Sequence, residues 1–541
     1  MGRGGLSEPG GGPTGAFVEG MGQVHNTPDP EPRSQESKTD DERGTLVAEK
    51  FDLVIIGGGN AGYIPAIRAS QLGMRVALIE KREGGHLGGT CLNVGCIPTK
   101  ALLHTATLLH DAKNGEEFGV TVSDVEFDYP QAAKRREKVV TQLRRGVQGL
   151  MKKNKVTVYN GTGSFIEPKK IQVENGDGTE ELEAEKVLIS TGSAVNTLPG
   201  LEFDGEKVIS SDDIVTNDES YPKSVIILGS GAVGVEFASM YKDFGTEVTI
   251  VEILDRLVPL EDPEISAALR KEFEGRGINV MTGTKADPGS LEKTDSGVKI
   301  KIASADAGEQ EETEGEGGSY GGEDPPTGAA DGGDTIEAEA LLVAVGRKTV
   351  TEDLNLDATG VELTEKGTIK VDEFYRTGED GVYAAGDVIG GYWLAHEAGH
   401  EGIIAAEHMA GEDPMPMDRS LVPRVTYCRP EIASFGLTKA QAEEEGYEAK
   451  EAKFPFQAIG KALIEGEPNG FFKIVTDAET DMILGMHAIG PKVTDLITEG
   501  VFAKLVEGTP EEISMTVHPH PSLSEVVGEA AMAAEGHPIH F

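Results

Sequence analysis

The chain has 541 residues, 93 acidic against 49 basic side chains, a formal net charge of −44 and three cysteines. The length implies three or four domains of ~100–200 residues with enough apolar surface for true cores. So few cysteines exclude a disulfide-stapled secreted scaffold, and the charge excludes nucleic acid or an anionic membrane as the main partner.

Residues 1–48 are rich in Gly, Pro, Ser, Asp and Glu without apolar periodicity, and read as a disordered extension. The opening Met1-Gly-Arg-Gly-Gly-Leu6 lacks the apolar centre of a secretory signal. No apolar run approaches the ~20 residues of a membrane span. A cytoplasmic protein is expected.

From Phe51 onward short apolar runs alternate with helical stretches, which indicates α/β layers. A strand over Phe51–Gly57 is followed by a helix over Ala61–Leu72 and a strand over Arg75–Glu80. The same series recurs over Ser224–Gly229, Val233–Phe244 and Glu247–Glu252. Each first strand ends in Gly-x-Gly-x-x-Gly: Gly57, Gly59 and Gly62, then Gly229, Gly231 and Gly234. Each second strand ends in an acid, Glu80 or Glu252, 23 residues after the first glycine. The first glycine permits a tight turn, the second lets backbone approach a pyrophosphate, and the third lets helix and strand sit close. The helix N-terminus offers free N–H groups to phosphate, and the acid accepts from ribose hydroxyls. Two dinucleotide sites in one chain suggest an electron relay between a flavin and a nicotinamide. Glu252 suits a free 2′-hydroxyl and repels a 2′-phosphate, so the second site reads as NAD rather than NADP.

Between the first strand pair and the next domain lies Gly88-Gly-Thr-Cys91-Leu-Asn-Val-Gly-Cys96-Ile-Pro-Thr-Lys100. On a helix, positions three to five apart fall on adjacent turns, so the two thiols can meet. The spacing is not that of a zinc knuckle, and no second ligand pair exists. A redox-active pair is the natural reading, and two unpaired structural cysteines the plainer one.

Further along, 306–334 holds ten acids and no Lys or Arg between Val298-Lys-Ile300 and Ile336-Glu-Ala338. It reads as a solvated insertion at a strand-to-strand turn, which chain entropy tolerates, and it lacks the ordered ligands of a calcium loop. His396-Glu-Ala-Gly-His400 matches a zinc-protease string, but Gly399 weakens the helix that such a site needs. Cys428 has no sequence partner and reads as a small buried residue. The acids are spread along the whole chain, as at Glu443, Glu444, Glu445, Glu507, Glu511 and Glu512. A surface built for a very salty cytoplasm explains that spread better than a few acidic tails.

The cysteine segment and His518-Pro-His520-Pro-Ser-Leu-Ser-Glu525 resemble the most specific marks of the flavin disulfide reductases, and within them of the dihydrolipoamide dehydrogenases. Ile189-Ser-Thr-Gly192, Val345-Gly-Arg347 and Tyr383-Ala-Ala-Gly-Asp387 add intermediate marks, and the resemblance spans about 50–305 and 335–541. It implies an α/β protein with two Rossmann-like domains, for FAD and NAD, and a C-terminal α+β dimerisation domain. The implied boundaries are an FAD domain over 49–197 and an NAD domain over 198–346. A segment over 347–418 returns to the first domain, and the interface domain covers 419–541. The implied assembly is a homodimer, in which the C-terminal His-Glu pair of one subunit faces the cysteines of the other. The implied partner is a lipoylated protein of a 2-oxoacid dehydrogenase or glycine cleavage complex.

Residue by residue, Cys91 resembles the interchange thiol and Cys96 the thiolate against the flavin. Lys100 and Glu236 resemble the ion pair beside the flavin ring. His520 resembles the general base and Glu525 the acid that orients it. By the same resemblance Thr191, Gly192, Asp387, Ala395 and His396 join Gly57, Gly59, Gly62, Glu80 and Lys100 around FAD. Gly346 and Arg347 join Gly229, Gly231, Gly234 and Glu252 around NAD. No metal is implied. The chain departs from the family's His-Ala-His-Pro in having Pro519. The implied reaction oxidises dihydrolipoamide through the disulfide and FAD and passes hydride to NAD. Reduction of another low-molecular-weight disulfide is the alternative.

Overall fold

The computed structural model describes residues 48–305 and 334–541. The expected N-terminal extension and acidic insert lie outside these residues, except for Ala48 and Asp334.

Strand β1 (Glu49–Ile56) runs parallel to β2 (Val76–Glu80), and helix α1 (Asn60–Gln71) connects them. Thr157–Asn160 extends the sheet beyond β2, and Gly178–Ile189 lies on the other side of β1. Successive residues of a strand face opposite ways, and here both faces are covered. Leu53, Ile55 and Leu78 cluster with Ala61, Ala66 and Ala69 of α1. Val54, Ile56 and Ile79 cluster with Phe165 and Ile171. Double coverage is why these strands read as continuous apolar runs. Each fully buried Leu or Ile contributes about 1.5–3 kcal/mol.

Gly178–Ile189 divides its outer edge. Lys170–Asn175 pairs antiparallel along its first part, and Val382–Ala384 pairs parallel along its last three residues. The chain thus returns to the first sheet late and sets Asp387 beyond the carboxyl ends of its parallel strands, where ligands of open α/β sheets bind.

The second sheet is parallel throughout, in the order Asn279–Met281, Glu247–Val251, Ser224–Leu228, Ala340–Val343, Val208–Ile209. Helix Ala232–Phe244 connects its central pair. An antiparallel ribbon of Thr284–Thr294, Gly297–Ser304 and Asp334–Ala338 accompanies this sheet. Val298 faces Ala338, and Ile302 faces Asp334. Gly297–Ser304 and Asp334–Ala338 are thus neighbouring antiparallel strands, and Asp334, expected in the insert, begins the second of them.

The third sheet is antiparallel, in the order Arg424–Thr426, Glu431–Gly436, Ile483–Gly490, Phe471–Asp477, Ala449–Pro455. Helices Val493–Leu505 and Glu525–Ala534 cover it. Their shared core includes Phe435, Phe454, Phe472, Met486, Val526 and Ala530. Ion pairs tie this sheet to the second body: buried Lys473 lies 3.0 Å from Asp262, and Arg424 lies 3.4 Å from Glu261. Breaking such a pair leaves an uncompensated buried charge, so it fixes how the two bodies dock more than it adds stability.

Candidate active site

Both glycine turns have the backbone that their motif demands. Gly57 has φ +110° and Gly229 φ +95°, which side chains rarely tolerate. A Cβ on Gly62 would stand 1.9 Å from the Gly57 carbonyl oxygen, and one on Gly234 would stand 2.1 Å from that of Gly229. Gly59 and Gly231 cap their helices without any side-chain hydrogen bond, and nothing lies within 4 Å of a Cβ built on Gly231. The first-turn N–H groups are thereby left for an anion.

The two acids close their own turns alike. Glu80 accepts from the N–H of Gly58 at 3.1 Å and of Arg82 at 2.7 Å. Glu252 accepts from the N–H of Ser230 at 2.7 Å and of Leu254 at 2.9 Å, and from the Ser230 hydroxyl. A carboxylate has about four lone-pair sites, so each retains capacity for ribose hydroxyls. Turn, open helix start and buried acid fit a dinucleotide at both places.

The cysteines do not share a helix. Cys91 lies in α2 (Gly89–Asn93), and Cys96 is the first residue of α3 (Cys96–Lys113). The break falls at Val94-Gly95, where a Cβ on Gly95 would meet the Thr90 carbonyl oxygen at 2.9 Å and Cys91 Cα at 3.2 Å. The bend that brings the thiols together therefore depends on glycine. Asn93 holds it: its side-chain amide donates to the carbonyls of Leu87 and Gly89, and its oxygen accepts from Arg144 Nε at 2.5 Å. The sequence reading missed Asn93. Its only signal is a polar residue between two cysteines, which says nothing of burial.

The thiol pair is polarised. The hydrogen bond from Cys91 lowers Cys96 to about 7, against the effect of burial and with help from Lys100. The same hydrogen bond, with burial, pushes Cys91 up. The start of α3 adds its partial positive charge to the Cys96 side.

Lys100, one turn into α3, sets Nζ 2.9 and 2.7 Å from the two oxygens of Glu236 on helix Ala232–Phe244. This pair joins the first nucleotide-binding body to the second. Burial works against the ammonium charge, but the Glu236 carboxylate outweighs it and holds Lys100 above its ordinary value. Tyr427 of the third body completes the group: its N–H donates to Glu236 at 2.9 Å, and Lys100 Nζ lies 4.8 Å from its ring centre.

Asp387 accepts from the Ser193 hydroxyl, which in turn accepts from Arg347 Nε at 2.7 Å. Arg347 is thus tied to the Asp387 side, on a two-strand ribbon with Ser193–Val195. Its neighbour Gly346 accepts from Asn196 N–H. Ser193 was not among the expected residues; only its place after Gly192 signals it. The Thr191 hydroxyl donates to the Val350 carbonyl, and Gly192 has φ +72°.

Ala395 starts the helix Ala395–Met409, and Asn60 of α1 donates to its carbonyl. His396 Nε2 donates to the Pro423 carbonyl at 2.8 Å. The helix runs unbroken through Gly399. A Cβ there would meet Ile64 Cδ1 at 2.8 Å, so the glycine lets the helix lie close to α1. Glu397 accepts from Tyr392 N–H and faces Arg419, and Glu401 accepts from Gly386 N–H beside Asp387.

His520 and Glu525 are joined, Nδ1 to Oε1, at 2.8 Å. Ser522 N–H holds the other carboxylate oxygen at 2.8 Å. Burial opposes it, but this N–H and the His520 ring hold Glu525 below the usual carboxylate range. The His520 side chain is 78% exposed, and among the described residues no hydrogen bond joins it to either cysteine. His518 differs: its side chain is 10% exposed and its Nε2 is engaged by Glu499 at 2.8 Å.

Two nucleotide-binding bodies, a polarised cysteine pair at their junction and a histidine–carboxylate pair on a third body define a dithiol–disulfide oxidoreductase of the two-dinucleotide kind. The comparisons agree. Residues 51–402 match the family model described as pyridine nucleotide-disulphide oxidoreductase, and residues 422–531 match the dimerisation domain of that family. The dihydrolipoyl dehydrogenase of Bacillus subtilis is 45% identical over 92% of this chain and 100% of its own length. The mitochondrial dihydrolipoyl dehydrogenase of Pisum sativum is 40% identical over 91% of this chain and 93% of its own. Among solved structures, LpdA from Mycobacterium tuberculosis superposes with a TM-score of 0.79 at 26% identity, covering 90% of this chain and 99% of that one. The chain belongs to the pyridine nucleotide-disulphide oxidoreductase family, whose cofactors are FAD and NAD.

Proposed function

We propose that this enzyme oxidises dihydrolipoamide, free or carried on a lipoylated protein, to lipoamide, with NAD as the final acceptor. The observation that carries this reading is the glycine turn that brings Cys91 and Cys96 into hydrogen-bond contact beside the Lys100–Glu236 pair, at the junction of the two nucleotide-binding bodies.

The His520–Glu525 bond occupies Nδ1 and leaves Nε2 to take a proton from the first substrate thiol. The resulting thiolate attacks Cys91 Sγ. The Cys91–Cys96 bond breaks, and Cys96 leaves as a thiolate stabilised by Lys100 and the start of α3. His520 passes its proton to Cys91 as the second substrate thiol displaces that cysteine from the mixed disulfide, and the ring takes up the proton of the second thiol, so one substrate proton ends on Cys91 and one on His520. The balance is one dithiol oxidised and one disulfide reduced. The Gly57 turn, Glu80 and Asp387 would hold FAD and the Gly229 turn and Glu252 would hold NAD, and the two groups would supply the redox chemistry that reoxidises the cysteine pair.

His520 is exposed and, among the described residues, hydrogen-bonded to neither cysteine of its own chain, which with the family's dimerisation domain supports a homodimer in which it faces the partner's cysteines. We further propose a cytoplasmic enzyme adapted to high salt, on the strength of its net charge.

The test is NADH formation from NAD and dihydrolipoamide in molar KCl, for wild type and Cys96→Ser together. Rapid formation, lost in the variant, is expected. A yellow, folded wild type that makes no NADH would overturn the substrate. NADH-driven reduction of another small disulfide would then identify the alternative.

A further inference from the structure

One helix runs against the charge of the whole chain. Tyr129–Lys153 holds eight Lys and Arg with a single acid, Glu137, in a protein of net charge −44. The fold uses two of the eight. Buried Arg136 pairs with Asp218, and Arg144 reaches Asn93 and Glu137. The other six, Lys134, Arg135, Lys138, Arg145, Lys152 and Lys153, are exposed. None of the six forms an ion pair among the described residues. Lys134 and Lys138 lie four apart, a spacing at which like charges destabilise a helix, so helix stability does not account for them.

The exposed side of the helix has one further feature without a purpose inside the chain. Gly146 and Gly149 lie inside the helix, where glycine is unfavourable, yet no neighbouring element lies within 4 Å of a Cβ built on either. Charges and an open glycine strip together describe a contact surface that a foreign backbone can approach closely.

The position of this face gives it a role. Arg144 binds Asn93, two residues from Cys91, so the helix is anchored on the turn that meets substrate. We propose that this face docks the acidic protein domain that presents the substrate dithiol to Cys91. This rests on the substrate reading above and adds to it the surface that receives a protein-borne substrate. A net charge of −44 repels an acidic carrier at a distance. A basic strip beside the cysteine turn offsets that repulsion at contact and sets the orientation. Nucleic acid, with its continuous charge, meets the full repulsion of the chain, and free dihydrolipoamide has no charge for the strip to recognise.

The test compares wild-type holoenzyme with the triple variant Lys134→Glu, Lys138→Glu, Arg145→Glu at one fixed KCl concentration. The two substrates are free dihydrolipoamide and a reduced, acidic, lipoylated carrier domain. The variant is expected to lose ~tenfold or more in kcat/KM for the domain, mostly through KM, and to oxidise free dihydrolipoamide as wild type does. Equal losses on both substrates, or none on the domain, would overturn the proposal. So would a variant that falls from dimer to monomer in sedimentation equilibrium, because the face would then be a subunit contact. Titration with the fluorescently labelled, oxidised domain reads docking without turnover. If free dihydrolipoamide is not oxidised, the substrate reading fails, while this titration still decides the docking surface. Gly146→Ala with Gly149→Ala is expected to raise Tm and weaken the titrated affinity; a raised Tm with unchanged affinity would overturn close approach at this strip.

Discussion

At the scale of single residues, the chemistry rests on unequal treatment of like groups. Two cysteines five positions apart differ because one begins a helix beside an ammonium group and the other donates to it. Lys100 favours the Cys96 thiolate, so Lys100→Gln is expected to raise the pH at which the reduced protein gains thiolate absorbance. An unchanged titration would remove Lys100 from this role. Two histidines two positions apart differ as well. The hydrogen bond with Glu499 raises His518 above the usual imidazole range, against burial. A raised value contributes stability that is full below the ordinary imidazole pKa and is lost as pH rises through the folded-state value. Glu499→Gln is therefore expected to destabilise the protein more at about pH 6 than at about pH 9, by at most ~1 kcal/mol after solvent screening. Urea denaturation at the two pH values measures this. Loss of His520 acts on rate instead: His520→Gln is expected to lower kcat by roughly 10²–10⁴-fold with Tm unchanged, as removal of a general base does.

At the scale of elements, the twice-used unit of strand, glycine turn, helix and acid makes the two nucleotide sites separable by mutation. A Cβ at Gly62 or Gly234 strikes a carbonyl oxygen at about 2 Å or closer, and backbone has no room to give. Gly62→Ala is expected to yield a colourless protein without flavin. Gly234→Ala is expected to stay yellow and accept electrons from dihydrolipoamide, yet make no NADH. A visible spectrum and a turnover assay on each variant separate these outcomes. This unit was legible in the sequence because its signals are local: buried-type strands, glycine spacing and a terminal acid. The cysteine turn was legible in composition but not in shape. The break at Val94-Gly95 depends on the approach of Gly95 to Cys91 Cα, and no helical periodicity reports that contact. The use of Gly399 was hidden for the same reason, since it lets its helix lie close to Ile64 of another helix. Ser193, Asn93 and Tyr427 escaped notice because their partners lie far off in sequence, from 51 residues (Asn93 to Arg144) to 194 (Ser193 to Asp387).

At the scale of the whole molecule, 93 acids against 49 bases set the conditions under which the fold exists. At ~1 M salt the Debye length is about 3 Å, so repulsion between neighbouring carboxylates is screened; at ~0.01 M it reaches 30 Å and the charges add. Desalting is expected to lower Tm steeply and to release flavin, with recovery on return to molar KCl. Equal Tm at low and molar KCl would overturn salt adaptation. The ties between bodies respond differently from the surface. Lys473 with Asp262 is buried, and Lys100 with Glu236 is half-buried, so both are screened less than the surface, and the bodies are expected to stay docked while the surface is still held by salt.

The exposed His520–Glu525 pair, facing the partner's cysteines in the proposed dimer, has a consequence for inheritance. Two kinds of dead subunit can rescue each other. In a mixed dimer of one Cys96→Ser chain and one His520→Gln chain, both lesions fall in one site and the other site is whole. Cells making both chains should therefore regain about a quarter of wild-type activity under random pairing, although neither allele alone supports growth. Two alleles damaged in the same residue should never complement.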